Sequence, residues 1–460
     1  MIIKNIALAG HAGTGKTTLL EALLYQGGCV ERMGSVAAGT TVSDAAPEEI
    51  KRHSSVYTAT GSIMLDGQKI NLLDTPGMFD FAGGMVQGIS AADCVMITVS
   101  GKSGVRVGTK KAYRAAEGKP RMFVVTKLDD ENANFYNVLT ELKSAFGPSV
   151  CPVVVPVIAD RKVDSYINLI EMKAYRYDKD GKAQEIPMPT SEVSEKLSYR
   201  VDGLIQAFSE AIAETDEELF EKFFSGEEFT QKERVGGIHK GMRDGTITPV
   251  ACVSAQMLEG VDLLCKEMEL LVPEASDEIA ALNQNGEEVV LHQSPEEPVC
   301  VQVYQTLADP YVGKLSMMRV ISGTLKAGAE LVNSKTGATE KLNKLFFLCG
   351  KKQTETAVAE AGDLVAATKL SANTGDTLCD SSRVVSLPRS SFPTPCYSMA
   401  VRPAARGDEA KVAAAIQKIL EEDQTLSYQQ NPATNEMILS GLGEQHLSCL
   451  LYTSPSPRDR

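Results

Sequence analysis

The chain has 460 residues, of which 43% are hydrophobic. Its length predicts two to four domains, because one domain takes roughly 100–200 residues. Lys and Arg number 46 against 60 Asp and Glu, which gives a formal net charge of −14. This acidity argues against non-specific coating of nucleic acid, so no DNA partner is expected. An RNA contact would need local basic patches such as Lys110-Lys111 or Lys351-Lys352, although short charge runs are usually solvated faces.

The patterns of cysteine, histidine and hydropathy argue against metal-binding, redox, secreted and membrane proteins. The ten cysteines include no C-x-x-C pair and the five histidines are far apart, so neither a zinc ribbon nor a dithiol redox site is indicated. Most cysteines lie in apolar runs, and we expect buried thiols in a reducing compartment at Cys94, Cys151, Cys252 and Cys300. No apolar run approaches about 18 residues, and the first strand leaves no room for a signal peptide. We therefore expect a cytoplasmic monomer without a membrane partner.

The first motif follows a predicted buried strand, Ile2–Ala9, and precedes a predicted helix, Thr18–Leu24. Every fixed position of the pattern G-x-x-x-x-G-K-[ST] is matched by Gly10, His11, Ala12, Gly13, Thr14, Gly15, Lys16 and Thr17. Backbone N–H groups of such a loop cradle a polyphosphate. Lys16 would reach the β and γ phosphates, the Thr17 hydroxyl would ligate Mg²⁺, and Thr18 completes the predicted phosphate-binding set. The flanking strand and helix argue against a chance match to a tight turn.

The second motif comes after a polar segment, 34–55, which is rich in Gly, Thr and Ser and predicts a long mobile loop. Two predicted strands follow, Ser62–Leu65 and Lys69–Leu73, joined by the hairpin signal Asp66-Gly67. The second strand leads into Asp74, Thr75, Pro76 and Gly77. Asp74 can hold Mg²⁺ through water, and Gly77 can offer its N–H to a γ-phosphate. D-x-x-G alone is weak, but D-T-P-G at this distance from a phosphate loop is specific.

The third motif predicts which base is bound. Strands are predicted at Cys94–Ser100 and Met122–Val125, with a helix at Val107–Glu117 between them. The second strand ends in Thr126, Lys127, Leu128 and Asp129, which match [NT]-K-x-D. Asp129 can accept from the ring N–H and the exocyclic amine of guanine, a donor pair that adenine lacks, and the Lys127 stem can lie along the base. Thr126 keeps a hydroxyl where Asn is commoner.

A fourth motif and an insertion complete the first half. The predicted strand Pro249–Ser254 ends in Ser254, Ala255 and Gln256, where a backbone N–H can meet guanine O6. Asp129 and Ser254 are about 125 residues apart, against a few tens in a minimal guanine-nucleotide domain. After a helix at Asn134–Phe146 and a strand at Cys151–Ile158, residues 159–247 are therefore predicted to be an insertion. It contains a predicted strand, Tyr166–Met172, and an acidic helix, Arg200–Phe224, which is more typical of a solvated face than of a site.

These motifs make the sequence similar to elongation factor G, a family of translational GTPases. The resemblance is carried by GHAGTGKT (10–17), PEEIKR (47–52), DTPG (74–77), TKLD (126–129) and VSAQ (253–256), and it continues through 309–315, 319–324, 361–363 and 374–379. It implies an α/β P-loop GTPase domain at 1–275 with an inserted subdomain at about 159–247. A β-barrel at 288–387 and an incomplete ferredoxin-like α+β domain at 392–450 follow. The implied ligands are GTP, GDP and Mg²⁺, and the implied partner is the ribosome, through its RNA and proteins.

Three departures from the family matter. The family usually carries His after DTPG to orient the attacking water, but this chain has Met78, and a thioether cannot do that. The usual Gly-Ile-Thr of the first switch is His53-Ser54-Ser55, in which Ser55 keeps a hydroxyl for Mg²⁺. The candidate catalytic positions are thus Lys16, Gly77 and Met78, and the candidate metal ligands are Thr17, Ser55 and Asp74.

The third departure is the end of the chain. The third domain is expected to have a strand at Tyr397–Val401, a helix at Glu409–Glu422 and a hairpin at 426–440. Roughly one turn of a second helix follows, in which His446 is a helix-start residue rather than a ligand. Residues 451–460 are polar and Pro-broken, as expected of adapter sequence, an assembly break or a natural short form. An incomplete third domain should expose apolar sheet surface and a strand edge.

Several functions stay open at this point. Translocation, ribosome recycling and ribosomal protection are not separated by these motifs. A GTP-binding switch that hydrolyses little and recruits partners is a second hypothesis, supported by Met78. An ATP-using phosphate-loop kinase is a third, and TKLD together with SAQ argues against it.

Overall fold

The structure, a computed structural model, describes residues 1–160, 162–189, 192–194, 199–275, 278–309, 313–403, 407, 409–432 and 434–453. The chain divides into two compact units. The first comprises Met1–Val42, Gly61–Thr75 and Ala92–Glu274, and the second comprises Ser43–Thr60, Pro76–Ala91 and the chain from Ala275 onward. No helix in the described part of the chain is long and apolar enough to cross a membrane.

Up to residue 274 the chain contains both strands and helices. The strands are β1 (Ile3–Gly10), β2 (Ala59–Leu65), β3 (Gln68–Asp74), β4 (Cys94–Ser100), β5 (Arg121–Thr126), β6 (Val150–Pro152), β7 (Val154–Ala159), β8 (Lys162–Asn168), β9 (Lys173–Tyr177), β10 (Ala183–Ile186), β11 (Glu192–Ser194), β12 (Tyr199–Arg200) and β13 (Thr248–Cys252). The helices are α1 (Lys16–Gln26), α2 (Pro47–Arg52), α3 (Ala82–Ala91), α4 (Val107–Ala115), α5 (Phe135–Phe146), α6 (Val201–Ala213), α7 (Glu217–Phe224), α8 (Gln231–Asp244) and α9 (Val261–Leu271).

The first unit is built on a seven-stranded mixed sheet in the order β2-β3-β1-β4-β5-β13-β6. From β3 to β6 the neighbouring strands pair in parallel. Every residue of β1 and of β4 is buried, and parallel strands covered on both faces have near-continuous apolar sequences. This is why the strand predictions at 2–9 and 94–100 are confirmed. The predicted hairpin is confirmed as well, with positive φ at Asp66 and Gly67, as a two-residue turn with both central residues left-handed requires.

Two strand predictions in this region are wrong. Residues 151–158 are not one strand, because the chain changes sheets at Val153. Its N–H still donates to the Val250 carbonyl oxygen of the seven-stranded sheet at 2.9 Å, whereas its own carbonyl oxygen accepts from the Leu169 N–H at 2.9 Å. Beyond Val153, β7 joins a separate four-stranded sheet, β10-β9-β8-β7. The strand predicted at 166–172 ends at Asn168, since the side-chain carbonyl of Asn168 accepts from the backbone N–H groups of Ile170 and Glu171 at 2.9 and 3.1 Å and turns the chain.

Helix predictions also need correction. The 34–55 segment contains α2, with Pro47 in its first turn, acidic residues at its start and basic residues at its end, which is a standard helix signal. The acidic helix predicted at 200–224 is two helices, because Asp216 caps α7 by accepting from the Glu218 N–H at 3.0 Å. Helix α8 was not predicted, although Thr230 and Glu233 form a capping box that is visible in the sequence.

The second unit carries an antiparallel β domain. Its strands are β14 (Glu278–Asn283), β15 (Glu288–His292), β16 (Cys300–Asp309), β17 (Gly313–Ser322), β18 (Thr324–Lys326), β19 (Ala329–Asn333), β20 (Thr339–Leu342), β21 (Leu345–Cys349), β22 (Lys352–Thr356), β23 (Val358–Glu360), β24 (Leu364–Thr368), β25 (Thr377–Cys379) and β26 (Val385–Ser386). An eight-stranded sheet in the order β20-β19-β25-β16-β17-β24-β21-β22 curls around a core that includes Val301, Val303, Met318 and Leu378. Val301 and Val303 alternate along β16 and are both fully buried.

A small α+β region follows. It consists of β27 (Tyr397–Val401), α10 (Glu409–Glu422), β28 (Ser427–Gln430), β29 (Met437–Gly441) and α11 (Glu444–Thr453). The sheet order is β27-β29-β28, and its core is formed by Ile416, Leu426, Leu439 and Leu447. The predicted β-α-β-β order is confirmed. The prediction of one helical turn at the end is wrong, because α11 is ten residues long; residues 454–460 lie outside the described residues.

The ten cysteines are free thiols, and those at 94, 151, 252 and 300 are buried, as predicted. Burial raises the pKa of both the Cys94 and the Cys151 thiol to about 12. These side chains are therefore neutral core residues.

A buried glutamate makes the stability of the first unit depend on pH. Glu267 on α9 is fully buried, and its Oε1 accepts from Asn168 Nδ2 at 2.8 Å. Burial raises the pKa of this carboxyl from 4.5 to about 8. Because the folded state holds a proton that the unfolded state releases, the free energy of unfolding falls as the pH rises from about 4.5 to about 8.

We expect Glu267→Gln to remove this decline, which is at most about 1.4 kcal/mol per pH unit, because an amide does not titrate. Denaturant unfolding between pH 5 and pH 9 measures the slope for the first unit. Glu269→Gln on the same helix is the control and should keep the wild-type slope. An unchanged slope in Glu267→Gln would show that this carboxyl does not carry the pH dependence.

Candidate nucleotide-binding site

The predicted motifs of the first unit meet at one edge of its sheet. The phosphate-loop residues follow β1, Asp74 ends β3, Thr126 ends β5, and Ser254 comes two residues after β13. These strands run parallel, so their carboxyl ends lie on the same side, which is where ligands of open α/β sheets bind.

Glycines shape the loop after β1. Gly10, Gly13 and Gly15 have φ of 136°, 75° and 87°, in the left-handed region that favours glycine. A Cβ on Gly10 would lie 2.6 Å from the Thr98 carbonyl oxygen, so no larger residue fits there. Gly15 is the N-cap of α1, so the loop leads into a helix start whose first N–H groups have no intrahelical acceptor.

Lys16 and Thr14 hold the loop from within. The Lys16 ammonium donates to the carbonyl oxygens of Gly10 and His11 at 3.2 and 3.0 Å, and its side chain is buried. Thr14 Oγ1 donates to the His11 carbonyl oxygen at 2.8 Å and lies 2.7 Å from Thr98 Oγ1. Burial, with the charges of Lys16 and Arg106, lowers the pKa of His11, which keeps its imidazole neutral at pH 7. Ala12 and Thr18 are half-buried beside these residues.

Two oxygens in the first unit fit a divalent cation. Thr17 Oγ1 donates to Asp74 Oδ2 at 2.6 Å, and both side chains are buried. The next residue, Thr75, fixes the end of β3 by donating from Oγ1 to the Leu8 carbonyl oxygen at 2.7 Å. Within the described residues no group of three or more His, Cys, Asp or Glu side chains could hold a metal. A threonine hydroxyl beside a carboxylate is a pair of protein oxygens of the kind that can hold Mg²⁺ together with phosphates and water.

The base motif is bonded directly to the phosphate loop. The buried Thr126 hydroxyl donates to the Thr14 carbonyl oxygen at 2.5 Å and approaches the Val99 carbonyl oxygen at 3.3 Å. Lys127 has a φ of 59°, and its Cε lies 3.6 Å from the position a Cβ would take on Gly15. Its stem therefore passes beside the phosphate loop.

The fourth motif is bonded to the third. Ser254 Oγ donates to Asp129 Oδ1 at 2.7 Å, and Ser254 is fully buried, whereas Asp129 and Gln256 are exposed and Ala255 is buried. The structure thus brings the phosphate loop, Asp74, Thr126, Asp129 and Ser254 together within the first unit.

Two residues of the site were not predicted from the sequence. Thr98 on β4 contacts both Gly10 and Thr14. The only sequence feature that marks Thr98 is a hydroxyl within an apolar strand. Glu21 on α1 is fully buried and accepts from the N–H groups of Gly34 and Val42 at 2.9 and 2.7 Å. The sequence feature that marks Glu21 is a charge on the apolar face of the first helix. Both residues act through the loops they hold.

The remaining predicted positions belong to the second unit. Ser55 and Pro76 are buried, and Gly77 and Met78 are half-buried. Nearby, the Glu49 carboxylate accepts from the N–H groups of Ala46, Val56 and Tyr57 at 3.0, 3.0 and 3.1 Å. Burial raises the pKa of Glu49, and these three N–H donors partly offset the increase. A single side chain thereby fixes both ends of α2.

Within the second unit, the residues after Met78 are bonded to α11. Met78 has extended backbone (φ −80°, ψ 143°) and precedes a short 3-10 helix, Phe79–Phe81. Asp80 accepts from the N–H groups of Gln445 and His446 at 3.0 and 3.3 Å. These N–H groups belong to the first turn of α11, so Asp80 caps that helix.

His446 is buried near the start of α11 and forms hydrogen bonds with Leu442 and Asp423. Its Nδ1 accepts from the Leu442 N–H at 3.1 Å, and its Nε2 lies 2.8 Å from Asp423 Oδ2, so the proton is assigned to Nε2. Burial alone would raise the pKa of Asp423, but the hydrogen bond and charge of His446, together with Thr425, hold it below its usual value. The expectation that His446 starts the second helix is confirmed.

Comparison with known proteins identifies the class first. Residues 1–274 match the family "Elongation factor Tu GTP binding domain", which makes the first part of the chain a GTPase domain. Residues 298–381 match "Elongation factor G domain 2" and residues 392–453 match "Elongation Factor G, domain III". The chain therefore belongs to the elongation factor G-like translational GTPases.

Individual relatives agree with this assignment. The "Elongation factor G-like protein" of Thermotoga maritima is 32% identical over 454 residues, which is 98% of this chain and 64% of that protein. A crystal structure of a protein from Thermus thermophilus matches with a TM-score of 0.84 and 34% identity, covering 98% of this chain and 65% of that one. The chain thus spans a little under two thirds of the length of both.

The Thr126 hydroxyl can be tested directly. We expect Thr126→Val to lower the free energy of unfolding by about 1–2 kcal/mol, because the buried Thr14 carbonyl loses its donor, and to weaken guanine-nucleotide binding several-fold. Thr126→Ser keeps the hydroxyl and should resemble wild type. Denaturant unfolding and GDP titration measure the two effects. Wild-type affinity in Thr126→Val would show that this bond does not support the site.

Proposed function

We propose that this chain binds GTP and GDP with Mg²⁺ and hydrolyses GTP in the cytoplasm while acting on the ribosome, in translocation or ribosome recycling. The observation that carries the proposal is the hydrogen bond from Thr126 to the Thr14 carbonyl at 2.5 Å. It fixes the spacing between the loop suited to phosphates and the carboxylate suited to a base. A ligand that satisfies both has to be a nucleoside polyphosphate.

Asp129 selects guanine in this proposal. Its carboxylate would accept from the N1–H and the 2-amine of guanine, and adenine offers no such donor pair. The hydroxyl of Ser254 donates to one oxygen of Asp129, which orients the carboxylate before any base arrives. Ala255 and Gln256 follow in the loop whose backbone N–H would meet guanine O6. An ATP-dependent kinase is disfavoured for the same reason.

The phosphates would be held by the loop from Gly10 to Thr17, with the Lys16 ammonium moving from loop carbonyls to the β and γ phosphates. Thr17 would ligate Mg²⁺ directly, Asp74 through water, and Ser55 through its hydroxyl in the triphosphate state. The ion would neutralise negative charge on the phosphates. Closure of the segments that carry Ser55 and Gly77 around a γ-phosphate is the known mode of GTPase switching.

Hydrolysis should be slow in the isolated chain. Gly77 would offer its N–H to the γ-phosphate, but the Met78 thioether cannot orient an attacking water as an imidazole does. This observation favours a second candidate function, a GTP-dependent switch that hydrolyses little and acts by recruiting partners. Single-turnover hydrolysis with and without ribosomes separates the two.

The ribosome is proposed as the partner because of family membership. The factor would act as a monomer on ribosomal RNA and proteins, and its role as translocase, recycling factor or ribosomal-protection factor stays open. Co-sedimentation of the 460-residue chain with ribosomes, in a non-hydrolysable GTP analogue and in GDP, tests the partner. Binding that is absent in both nucleotides would contradict this part of the proposal.

Base selection gives the sharpest test. We expect Asp129→Asn to shift preference from guanine toward xanthine nucleotides, because the amide can donate to the xanthine 2-oxo group. Competition titration of GDP against xanthosine diphosphate measures the shift. Lys16→Ala is the matched loss-of-binding control and should abolish tight triphosphate binding with either base. Unchanged guanine preference in Asp129→Asn would contradict the assignment.

The methionine can be tested by restoring the family's histidine. We expect Met78→His to raise the single-turnover rate of GTP hydrolysis by about 10²-fold, the low end for a positioned proton-transfer group. GTP affinity should stay unchanged, and Met78→Leu is the apolar control. Fast wild-type turnover without a gain in Met78→His would mean that another group orients the water.

A further inference from the structure

The four-stranded sheet β10-β9-β8-β7, most of which lies in the predicted insertion, contacts the loop that follows β13. Residues 254–260 close on themselves, since the N–H of Ser254 donates to the Glu259 carbonyl oxygen at 2.9 Å and the N–H of Glu259 returns to Ser254 at 3.1 Å. We call this segment the guanine loop. Leu258 has a φ of 60°, a conformation that a leucine adopts only when its surroundings hold it there.

Two tyrosines of the insertion donate to carboxylates directly after Leu258 in the chain. Tyr166 on β8 is buried, and its hydroxyl donates to Glu259 Oε2 at 3.2 Å. Tyr177, at the end of β9, donates to Asp262 Oδ1 in the first turn of α9. The two rings pack edge to face with centroids 5.3 Å apart, so each fixes the orientation of the other.

The turn after Tyr177 adds a close backbone approach. A Cβ on Gly181 would lie 2.8 Å from Leu258 Cβ and 3.1 Å from the Met257 carbonyl oxygen. Asp178 shapes this turn by accepting from the N–H groups of Asp180 and Lys182 at 2.9 and 3.0 Å. The turn after Tyr177 thus approaches the guanine loop at residues 257–258, directly before the Glu259 contact.

A continuous series of bonds joins Tyr166 to Asp129. The Tyr166 hydroxyl bonds the Glu259 side chain, the Glu259 backbone pairs with Ser254, and Ser254 Oγ donates to Asp129 Oδ1 at 2.7 Å. The negative charge of Asp129 also adds to the effect of burial in raising the pKa of Glu259, while Tyr166 opposes it. Without the tyrosine donor, Glu259 would be a partly buried carboxyl close to the base-recognition carboxylate.

We propose that Tyr166 and Tyr177 are positioning residues for guanine recognition: through Glu259 and Asp262 they hold the guanine loop, and through Ser254 they hold the carboxylate of Asp129. The proposal rests on the proposed function, because it deepens the role of the same site. It makes the insertion part of the nucleotide-binding machinery rather than an independent attachment.

The test compares GDP with inosine diphosphate, which lacks the 2-amine that Asp129 would bind. In Tyr166→Phe/Tyr177→Phe, GDP affinity should fall roughly tenfold, as for lost hydrogen bonds to charged acceptors. Affinity for inosine diphosphate should fall about twofold, since it has one donor to misalign instead of two. The preference for GDP therefore drops about fivefold, mainly through faster release. A purely structural role would lower the melting temperature without changing this preference.

Tyr175→Phe is the matched control. Tyr175 lies on the same strand as Tyr177, and its hydroxyl also donates to a carboxylate, Glu171 Oε2 at 2.7 Å, but that bond stays within the insertion. The preference of the Tyr175→Phe variant for GDP over inosine diphosphate should equal that of wild type. Asp262→Asn keeps an oxygen acceptor for Tyr177 and should keep most of the preference, whereas Asp262→Ala should resemble Tyr177→Phe. If the double variant is unfolded, the single variants and the Asp262 pair provide the same comparison.

The outcomes separate the two proposals. Wild type without guanine preference would overturn the proposed function itself. Wild type with guanine preference, and a folded Tyr166→Phe/Tyr177→Phe variant that retains it, would overturn the positioning role alone. An equal loss of preference in Tyr175→Phe would also overturn it, because the effect would then come from the insertion in general.

Discussion

The hydrogen bond from Thr126 to the Thr14 carbonyl oxygen joins two loops that are 112 residues apart in the chain. It is buried and lies between the carboxyl ends of β1 and β5, where the parallel sheet brings the two loops together. Thr98, on the strand between them, contacts the same loop through Thr14 Oγ1 at 2.7 Å. Three threonine hydroxyls at this edge of the sheet, those of Thr14, Thr98 and Thr126, thus connect the two loops and the strand between them.

Buried carboxylates accept hydrogen bonds that hold other parts of this acidic chain in place. Glu21 accepts two backbone N–H groups and Glu49 accepts three, so each holds a loop that has few apolar residues of its own. Glu267 accepts one side-chain donor, and its pKa is raised to about 8. Glu49 and Glu267 illustrate one rule: burial raises the pKa of a carboxyl, and hydrogen-bond donors oppose that increase.

The segments 43–60 and 76–91 belong to the second unit and share its hydrogen bonds. Gln305 donates to the Thr58 carbonyl oxygen at 3.2 Å, the Gly350 N–H donates to the Thr60 carbonyl oxygen at 2.9 Å, and Asp80 caps α11. Any rearrangement of these segments has to break such bonds or carry their partners along. These bonds tie the two segments to the β domain and to α11 within the second unit.

The sequence by itself determined the buried parallel strands and predicted a ligand chemistry. Buried parallel strands such as β1 and β4 are continuous apolar runs, and the phosphate, metal and base motifs are local patterns whose chemistry follows from residue type and spacing. Only the tertiary structure decided which distant residues meet. Residues 151–158 split because β6 pairs with β13, about a hundred residues later, whereas β7 pairs with β8. No local pattern contains the β13 partner. Thr98, Glu21 and the tyrosines at 166 and 177 became visible as site residues for the same reason: a hydroxyl or carboxylate gains its role from the backbone or side chain that folding places opposite it.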